Sequence, residues 1–474
     1  MNDDPIDVTN LTNRLKTFIF IDITHAVILL FQKNSTTFCQ TQLLDKTIKM
    51  IKLSKALFQK KQNLSSKSLI DYEEQFGANN YKPIPIVFAK ANGVHVWDPE
   101  GNKYMDFLSS IGSVNQGHCH PRILKAMQDQ IKVLTLSSRA FYNDQFGRYA
   151  KFMTKTFQYD KILPTSTGAE AVETAIKLSR KWGYEKKGIP KNKAIVVGCS
   201  KNFHGRTTGA ISLSTDPTAY TNFGPNLPNV GSVCPVTNKV IRFGNFQDLV
   251  DCFEQHHKHI AAFIVEPIQG EGGINVPPKD YLQRVNELCT KNNVLLIADE
   301  IQTGIGRTGK MLCIDRDDVR ADIVLLGKSL GGGFYPVSCV LADDEIMQVI
   351  KPGQHGSTFG GNPLACRIAM ESVNVIIDEK LSENAELMGK VLRTALQDLK
   401  SPVIIDIRGK GLLNALEIDN KYSAWKLCLI MAKHGILSRP TQDSIIRLAP
   451  PLVITENQIL EAVEAISKSL DELQ

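Results

Sequence analysis

Lys328 is the residue whose surroundings first suggest chemistry. It follows the apolar run DIVLLG and precedes Ser329 and the glycines at 331–333. A buried strand ending here would carry the lysine amine to the edge of a sheet, where the glycines allow close approach to the backbone. A partly desolvated amine can form a Schiff base with a carbonyl compound and then move a proton. Since most lysines that follow a strand are merely solvated, the neighbouring residues decide the interpretation.

Asp299 ends a second apolar run, VLLIA, so its carboxylate is expected at the same sheet edge. A carboxylate there can keep a pyridine nitrogen protonated, and a protonated ring withdraws electrons from the group attached to it. An Asp-Glu pair after a strand is as often a helix cap, and Glu300 is interpreted as structural.

An anion site and a ring-stacking residue complete the set. The segment 165–169 (TSTGA) opens an amphipathic helix, and the backbone N–H groups of Thr167, Gly168 and Ala169 at a helix start favour a phosphate. Phe203, in KNFHGRT, can stack on a flat ring, although an isolated phenylalanine is usually part of a core. A lysine, an acid, a flat side chain and a phosphate cradle are together the parts that hold pyridoxal 5'-phosphate (PLP).

The elements that must position these residues are predicted from apolar runs. Short runs rich in β-branched residues end in Gly, Asp or Glu and alternate with helical stretches. Because the runs are apolar on both faces, they indicate a mainly parallel sheet covered on both sides, and functional groups should gather where its strands end. The clearest predicted strands are 194–198, 261–265, 294–298 and 323–326.

The sequence therefore predicts an α/β fold with four parts. Residues 1–68 form an N-terminal extension, 69–111 an N-terminal segment, 112–380 a large PLP-binding domain and 381–474 a smaller α+β domain. The smaller domain is expected because strand-like runs alternate with helical patterns near the C-terminus. Its predicted strands are 403–407, 414–418 and 445–448.

Charge and cysteine usage exclude several classes of protein. Residues 1–67 contain ten Lys/Arg against five Asp, which leaves 45 Lys/Arg against 44 Asp/Glu in the rest, so nucleic acid is not an expected partner. The ten cysteines are scattered without a C-x-x-C pair, which speaks against a disulfide scaffold or a zinc site. His118, Cys119 and His120 lie in a predicted turn with no further ligands, so no metal is expected.

The extension has the composition of a targeting signal. From Lys46 to Lys67 there are seven lysines and no acid, as in a mitochondrial transit peptide, and this signal would begin the chain if translation started at Met50. The alternative is a disordered basic leader. The apolar stretch 17–31 is short for a membrane span and contains an aspartate and a histidine, so no membrane helix is expected. The expected location is the mitochondrial matrix or the cytoplasm.

From about Tyr72 to the C-terminus the chain resembles a known family. The segment DEIQTGIGRTG (299–309), followed by Lys328, resembles the signature of the class III, or subgroup II, PLP-dependent aminotransferases. This resemblance implies fold type I architecture and a homodimer with a shared active site. Within the class, further segments together resemble the ornithine aminotransferases, which move the δ-amino group of L-ornithine to 2-oxoglutarate in two half-reactions. These segments are GANNYKPIP, FLSS, VNQGHCHP, SSRAFYN, EPIQGEGG, LLGKSLGGGFYPVS, HGSTFGGNPL, RGKGLLNA and IIRLAPPLVI.

The resemblance implies a role for each cofactor-binding residue. These residues would be Lys328 for the Schiff base, Asp299 for the pyridine nitrogen, Gln302 for the ring hydroxyl, Phe203 for the ring face, and Thr167, Gly168 and Ala169 for the phosphate, joined by Thr358 from a neighbouring subunit.

The resemblance also implies substrate-binding residues. Tyr81 and Arg206 would bind the α-carboxylate of ornithine, and Arg447 would be the second carboxylate site. Glu271 would cover Arg447 when ornithine is present and release it for the dicarboxylic substrate. A charge-assisted bond is worth roughly 1.5–3 kcal/mol, so an uncovered Arg447 would seat ornithine by its α end and present the wrong amine. Ordinary surface ion pairing is the alternative for each of these residues taken alone.

The chain departs from the family at three places. Ile111 stands where ornithine aminotransferases usually have a tyrosine that lines the substrate pocket, and an aliphatic residue there resembles the 4-aminobutyrate aminotransferases. Residues 236–245 are an insertion of roughly ten residues in a surface connection, where extra length costs little. His204 stands where the family commonly has an aromatic residue, and it is interpreted as a wall of the pocket.

Other activities stay open on the sequence. The runner-up is an aminotransferase for another ω-amine, 4-aminobutyrate or acetylornithine, and Ile111 and the Glu271–Arg447 pair would discriminate between them. A PLP aminomutase would need no 2-oxoglutarate, so dependence of turnover on that substrate would separate it. A non-catalytic binding protein is disfavoured because every cofactor-binding group is retained.

Overall fold

The computed structural model describes residues 64–235 and 237–474. The chain divides into two units, before and after Asn80. The described part of the first unit contains one helix, α1 (Ser66–Phe76), whose N-cap Ser65 accepts a hydrogen bond from the Ser68 N–H at 3.3 Å. The predicted transit peptide and the candidate start at Met50 lie outside the described residues.

The second unit alternates strands with helices. Its strands are β1 (Lys90–Asn92), β2 (His95–Trp97), β3 (Lys103–Asp106), β4 (Lys161–Thr165), β5 (Ile195–Val197), β6 (Val230–Gly231), β7 (Ile260–Val265), β8 (Leu295–Asp299), β9 (Ile323–Leu326), β10 (Ser338–Ala342), β11 (Ile404–Lys410), β12 (Leu413–Ile418), β13 (Ile436–Leu437), β14 (Pro440–Gln442) and β15 (Ile445–Leu448).

The α-helices of this unit vary from one turn to five. They are α2 (Ser109–Gly112), α3 (Pro121–Ile131), α4 (Phe146–Phe157), α5 (Gly168–Glu185), α6 (Thr208–Ser212), α7 (Pro217–Tyr220), α8 (Phe246–His256), α9 (Tyr281–Lys291), α10 (Asp344–Met347), α11 (Pro363–Asp378), α12 (Leu381–Asp398), α13 (Ala424–Lys433) and α14 (Glu456–Leu473). Two short 3-10 helices, Ile314–Asp317 and Lys328–Gly331, interrupt the series. Within the described ranges no helix is both long enough and apolar enough to cross a membrane.

The largest sheet has seven strands in the order β4-β10-β9-β8-β7-β5-β6. The run from β9 to β6 is parallel, whereas β10 pairs antiparallel with both β4 and β9. The predicted mainly parallel sheet is therefore confirmed. The four predicted strands correspond to β5, β7, β8 and β9 to within one residue at each end.

Alternate residues of the central strands pack on opposite faces of this sheet. In β7, Phe263 and Val265 join one apolar layer, and Ala262 and Ile264 join the other, to which α5 contributes. Fully burying one such large side chain contributes roughly 1.5–3 kcal/mol, so both faces hold the sheet in place. The strand ends near the site are therefore held rigidly.

This unit also contains two smaller four-stranded sheets, which are formed by strands near its N-terminal and C-terminal ends. The C-terminal sheet is antiparallel in the order β11-β12-β15-β14, as expected for an α+β region. The other sheet has the order β1-β2-β3-β13, in which Ile436 of the late strand pairs in parallel with Met105. Segments from both ends of the unit thus share one sheet, and the predicted domain boundaries stay predictions.

The predicted insertion at 236–245 follows β6. Val236 lies outside the described residues, while Val233 and Val240 form an isolated antiparallel bridge that makes the segment a short hairpin. Asn238 at its tip has a φ of +51°, a conformation that asparagine tolerates in tight turns. That the segment is an insertion relative to the family stays a prediction.

Arg307 ties three distant segments together inside the protein. Its fully buried guanidinium donates twice to Asn115 Oδ1, at 2.6 and 3.1 Å. It also donates to the carbonyls of Leu412 at 2.9 Å and Pro450 at 2.6 Å. A buried carbonyl without a hydrogen-bond donor lowers the free energy of unfolding. The Arg307 side chain therefore holds the turn between β11 and β12, and the segment after β15, close to the segment that contains Asn115.

Replacing Arg307 by lysine is expected to lower the free energy of unfolding by about 2–3 kcal/mol. A lysine keeps the charge but cannot reproduce the planar fork of donors, so buried acceptors lose their partners. Urea unfolding followed by circular dichroism measures the loss. The exposed Arg148 on α4 offers a matched Arg148→Lys control, which should stay within about 0.5 kcal/mol of the original protein. Equal stability of the two variants would contradict this role for Arg307.

Candidate active site

Three neighbouring parallel strands deliver ionisable side chains to one sheet edge. Glu266 directly follows β7, Asp299 is the last residue of β8, and Lys328 follows β9 after Gly327. Because β7, β8 and β9 are adjacent and parallel, their carboxyl ends lie side by side. The edge predicted from the apolar runs is therefore present.

Lys328 begins a 3-10 helix in a strained backbone conformation. Its φ is +46°, in the left-handed region that residues other than glycine rarely adopt, and such strain concentrates at functional sites. Burial lowers the pKa of its amine to about 8, and the charge of Arg447 acts in the same direction, while Glu271, Glu266 and Asp299 oppose the shift. About a tenth of the amine is therefore uncharged at pH 7, and this form can act as a nucleophile or base.

Asp299 is held by a partner that the sequence did not reveal. His204 Nδ1 lies 2.7 Å from Asp299 Oδ2, and the Ile301 N–H donates to Oδ1 at 3.2 Å. Burial alone would lower the pKa of His204, but the hydrogen bond and charge of Asp299 outweigh it and raise that pKa. The sequence interpretation of His204 as a pocket wall missed this contact. The available signal was its place beside Phe203, in a loop that leaves the same sheet edge.

The Asp-Glu pair separates into two roles. Glu300 is fully buried, and its carboxylate accepts hydrogen bonds from Thr303 Oγ1 at 2.5 Å and from the Ile314 N–H at 2.8 Å. Burial raises the pKa of Glu300 to about 7. Both its bonds go to the following loop, which bears out the interpretation of Glu300 as structural.

A slot with an unused hydrogen-bonding atom lies beside Asp299. Gln302 is buried, and its Oε1 atom has no partner among the described residues. A side chain at Gly270 would overlap with this oxygen, so glycine keeps the space open. Phe203 is half-buried and fixed by its N–H, which donates to Glu266 Oε1 at 2.8 Å. An acceptor and an aromatic face are the groups that a hydroxylated aromatic ring requires.

The start of α5 is the candidate phosphate cradle. Thr167 is the N-cap of a capping box, in which its Oγ1 accepts the Glu170 N–H at 3.3 Å and its own N–H donates to Glu170 Oε2 at 2.7 Å. The cap thus uses the backbone N–H of Thr167 and one lone pair of its hydroxyl oxygen, and it leaves the O–H as a donor. The N–H groups of Gly168 and Ala169 occupy the first helical positions, which have no intrahelical acceptor and attract anions.

The Glu271–Arg447 ion pair joins the loop after β7 to strand β15. Glu271 Oε2 lies 2.8 Å from Arg447 Nη2, and Gln302 Nε2 donates to Glu271 Oε1 at 3.4 Å. Burial alone would raise the pKa of Glu271, but the charge and hydrogen bond of Arg447 lower it to about 2. Arg447 is buried, and its Nε and Nη1 atoms have no partner in the described part of the chain. Two donors of this guanidinium therefore stay available to another carboxylate.

The C-terminal sheet holds the Glu271 loop by its backbone. Thr441 Oγ1 donates to the Glu271 carbonyl at 2.7 Å and accepts from Arg447 Nη2 at 3.0 Å. Arg408 donates to the carbonyls of Gly273 at 2.6 Å and Ile274 at 3.1 Å. The backbone of the Glu271 loop is therefore fixed at the carbonyls of Glu271, Gly273 and Ile274.

The remaining predicted substrate residues lie at the periphery. Tyr81 is exposed, and the guanidinium of Arg439 lies 5.9 Å from its ring centroid. Arg206 is exposed, with its guanidinium carbon 5.4 Å from the Phe203 ring centroid. Thr358 is also exposed, and its contribution to a neighbouring subunit stays a prediction.

Ile111 lies in a left-handed turn at the end of the N-terminal segment. Ser109, Ser110 and Ile111 have φ values of 52°, 48° and 60°, and Gly112 follows at 75°. A β-branched residue in this region is an outlier, and a Cβ added at the next residue, Gly112, would lie in ordinary contact with Gln302. Strain at a turn beside the candidate site suggests that the position of Ile111 serves function.

The predicted turn at 118–120 has a structural explanation. His118 Nε2 lies 2.8 Å from Asp106 Oδ2, and the other Asp106 oxygen accepts the N–H groups of Leu108 at 2.8 Å and Ser109 at 2.9 Å. His118 therefore helps to hold the left-handed turn. Across residues 64–235 and 237–474, no group of three or more His, Cys, Asp or Glu residues is arranged to hold a metal.

Comparison with known proteins agrees with this arrangement. The family described as Aminotransferase class-III matches residues 76–470. The ornithine aminotransferase of Saccharomyces cerevisiae is 55% identical over 419 residues, which cover 86% of this chain and 98% of the relative. The mitochondrial ornithine aminotransferase of Rattus norvegicus is 52% identical over 408 residues, which cover 86% of this chain and 91% of the relative.

A solved structure shares the fold. It is that of the ornithine aminotransferase from Toxoplasma gondii, described as having partial occupancy of PLP at its active site. It aligns with a TM-score of 0.84 at 44% identity and covers 88% of this chain and 97% of the other. The likeness confirms the predicted fold type I architecture. The family predicted from DEIQTGIGRTG and Lys328 is the family that these comparisons find. The chain belongs to the class III aminotransferases.

Proposed function

We propose that this enzyme transfers the δ-amino group of L-ornithine to 2-oxoglutarate, giving glutamate and glutamate 5-semialdehyde, which cyclises to pyrroline-5-carboxylate. The observation that carries the proposal is the ion pair between Glu271 and Arg447, at 2.8 Å, on the same side of the fold as Lys328. Relatives at 52–55% identity that bear the name ornithine aminotransferase support it.

The site residues fit PLP. Lys328 would hold the cofactor, Asp299 would face its ring nitrogen, and the free Gln302 Oε1 would accept its ring hydroxyl. The N–H groups of Gly168 and Ala169 would bind its phosphate. When bound, PLP supplies an electron-accepting ring that allows a proton to leave the carbon bearing the amine. The Thr167 hydroxyl, whose oxygen accepts the Glu170 N–H in the capping box, would donate its O–H to the same phosphate.

Lys328 would move the proton. Its pKa of about 8 gives it both forms near neutral pH, so it can accept a proton from one carbon and return it to another position. Asp299, held by His204, would keep its negative charge directed at the ring nitrogen. Lys328 and Asp299 would therefore have different roles, although neighbouring strands place them at the same sheet edge.

The Glu271–Arg447 pair would select the amine that reacts. Ornithine has one carboxylate, and with Arg447 covered by Glu271 this carboxylate must bind elsewhere, toward Tyr81 and Arg206. The δ-amine would then lie at Lys328. Leaving Arg447 open would let the same carboxylate bind there and bring the α-amine to the lysine. Covering the arginine therefore disfavours the wrong orientation.

The second substrate, 2-oxoglutarate, would bind Arg447, which ornithine would not bind. 2-Oxoglutarate has two carboxylates, one for Arg206 and one able to compete with Glu271 for Arg447. The Nε and Nη1 atoms of Arg447 are buried and have no partner among the described residues, so they would pair with the incoming carboxylate once the Glu271 side chain has turned away. Since the Glu271 backbone is fixed by Thr441, the exchange needs only a side-chain rotation.

The subunit arrangement and the compartment belong to the same proposal. A homodimer would bring Thr358 of one subunit to the phosphate of the other, and the exposure of Thr358 is consistent with this. A mitochondrial matrix location is supported by the basic segment from Lys46 to Lys67 and by mitochondrial relatives. The cytoplasm is the alternative.

A second candidate function is favoured by one residue. Ile111 offers no hydroxyl to the α-amino or carboxylate end of ornithine, and its strained turn lies beside Gln302. An aliphatic wall suits 4-aminobutyrate better than it suits ornithine. The comparison between these two amines is therefore the decisive assay.

The purified enzyme is expected to use L-ornithine with a kcat/KM at least about tenfold above that for 4-aminobutyrate, with 2-oxoglutarate as acceptor. Glu271 would keep the single carboxylate of either amine away from Arg447. Only ornithine also carries an α-amino group, which can bind at the end of the site toward Tyr81 and Arg206. Trapping of pyrroline-5-carboxylate measures the ornithine reaction. Lys328→Ala serves as the inactive control.

Ile111→Tyr tests the departure from the family in the same assay. A restored hydroxyl should raise the preference for ornithine by up to about tenfold, the worth of one neutral hydrogen bond. Better use of 4-aminobutyrate by the unmodified enzyme would contradict the proposed substrate, and turnover without 2-oxoglutarate would point to an aminomutase.

Attachment of PLP to Lys328 is expected to accelerate with pH around a midpoint near 8. Burial lowers the amine pKa from its ordinary value near 10.5 to about 8, so the uncharged nucleophile accumulates as the pH rises through 8. Stopped-flow absorbance after mixing apoenzyme with PLP at pH 6.5 to 10 measures the rate, and Lys328→Ala gives the background. A midpoint near 10.5 would show that the lysine is solvated and would contradict its proposed environment.

A further inference from the structure

We propose that His204 is a positioning residue for Asp299, and that Glu266 fixes the segment that carries His204. The inference rests on the proposed PLP-dependent function and deepens it. It assigns a task to two buried side chains that ring stacking, phosphate binding and substrate selection leave unexplained.

The contact between His204 and Asp299 is made entirely inside the protein. The two side chains are 0% and 4% exposed, and Nδ1 and Oδ2 are 2.7 Å apart. A buried carboxylate needs partners to stay ionised, and the Ile301 N–H at 3.2 Å is the other hydrogen bond to this group. Loss of His204 would leave Asp299 with one long bond and freedom to rotate.

The other nitrogen of the His204 ring identifies which role the ring plays. Its Nε2 atom is buried and has no partner among the described residues. The ring is therefore held at Nδ1 alone, and the proton on Nδ1 points at Asp299. A histidine kept for packing would not require an aligned donor at this distance.

The charges around His204 strengthen the same bond. Asp299 and Glu266 are the ionisable groups that face it, and each favours its protonated form. A histidine with positive character makes a stronger hydrogen bond to a carboxylate than a neutral ring does. The orientation of the Asp299 carboxylate at the sheet edge is thereby maintained.

Glu266 joins the His204 segment to the loop of Glu271. One carboxylate oxygen accepts the Phe203 N–H at 2.8 Å, and the other accepts the Gly270 N–H at 3.1 Å. Phe203 immediately precedes His204, and Gly270 immediately precedes Glu271. A single buried carboxyl group thus fixes the positions of His204, Phe203 and the Glu271 loop relative to one another.

Two substitutions separate positioning from packing. His204→Phe keeps an aromatic ring but removes the donor, whereas His204→Asn keeps a donor close to the position of Nδ1. Each is compared for the dissociation constant of PLP from the apoenzyme, for the pH dependence of the bound-cofactor absorbance, and for kcat and KM. His256→Phe on α8 is the control, because His256 is a half-buried histidine whose Nε2, like that of His204, is buried and lacks a partner among the described residues.

We expect His204→Phe to weaken PLP binding about tenfold, the usual worth of one charge-assisted bond. The pH dependence of the absorbance should shift, because the ring nitrogen loses a fixed counter-charge. The kcat with ornithine and the kcat with glutamate should fall by a similar factor while KM for ornithine changes less than about twofold. His204→Asn should recover most of each loss, and His256→Phe should resemble the unmodified enzyme.

Two results would overturn the proposal. The first is a His204→Phe enzyme with an unchanged dissociation constant and absorbance titration, and the second is a His204→Asn enzyme as impaired as His204→Phe. Neither binding nor absorbance depends on ornithine, so an enzyme that binds PLP but does not use ornithine would overturn the proposed substrate and still decide the role of His204. Absence of PLP binding by the unmodified protein would overturn both.

Discussion

The rest of the site depends on one constraint. Charged side chains are removed from water at the carboxyl edge of the seven-stranded sheet. An ion transferred to the protein interior loses several kcal/mol of hydration unless a partner replaces the water. Asp299 is therefore paired with His204, and Arg447 with Glu271. Lys328 has no such direct partner within residues 64–235 and 237–474, and burial lowers the pKa of its amine to about 8. The same desolvation thus produces two fixed ion pairs and one reactive amine.

The small C-terminal sheet positions the loop of Glu271, as the large sheet positions Asp299 and Lys328. Arg447 lies on β15, and Thr441 on β14 binds the backbone carbonyl of Glu271. Arg408 binds the carbonyls of Gly273 and Ile274 in the same loop. The C-terminal sheet thus holds the backbone of the Glu271 loop, while Arg447 and Gln302 hold the Glu271 side chain.

Much of this arrangement follows from the sequence by rules of general validity. Apolar runs ending in Asp299 and before Lys328 identify parallel strands, and adjacent parallel strands place their last residues together. The family resemblance adds Glu271 and Arg447, whose 176-residue separation no local pattern could bridge. Which strands are neighbours, however, depends on packing of the whole sheet.

The features that sequence reasoning missed are those that local rules argue against. A bond between His204 and Asp299 joins residues 95 apart, so neither segment alone indicates it. A left-handed turn at Ile111 contradicts the ordinary preference of a β-branched residue. The first feature depends on a tertiary contact, and the second on Asp106, which accepts the N–H groups of Leu108 and Ser109 and contacts His118.

The central claim is that the Glu271–Arg447 pair decides which amine of ornithine reacts. The most direct measurement supplies ornithine labelled with 15N at either the δ or the α nitrogen and determines by mass spectrometry which label appears in glutamate. The unmodified enzyme should transfer the δ label alone, and Glu271→Ala, which uncovers Arg447, should transfer a substantial share of the α label. An unchanged preference for the δ label in Glu271→Ala would contradict the claim.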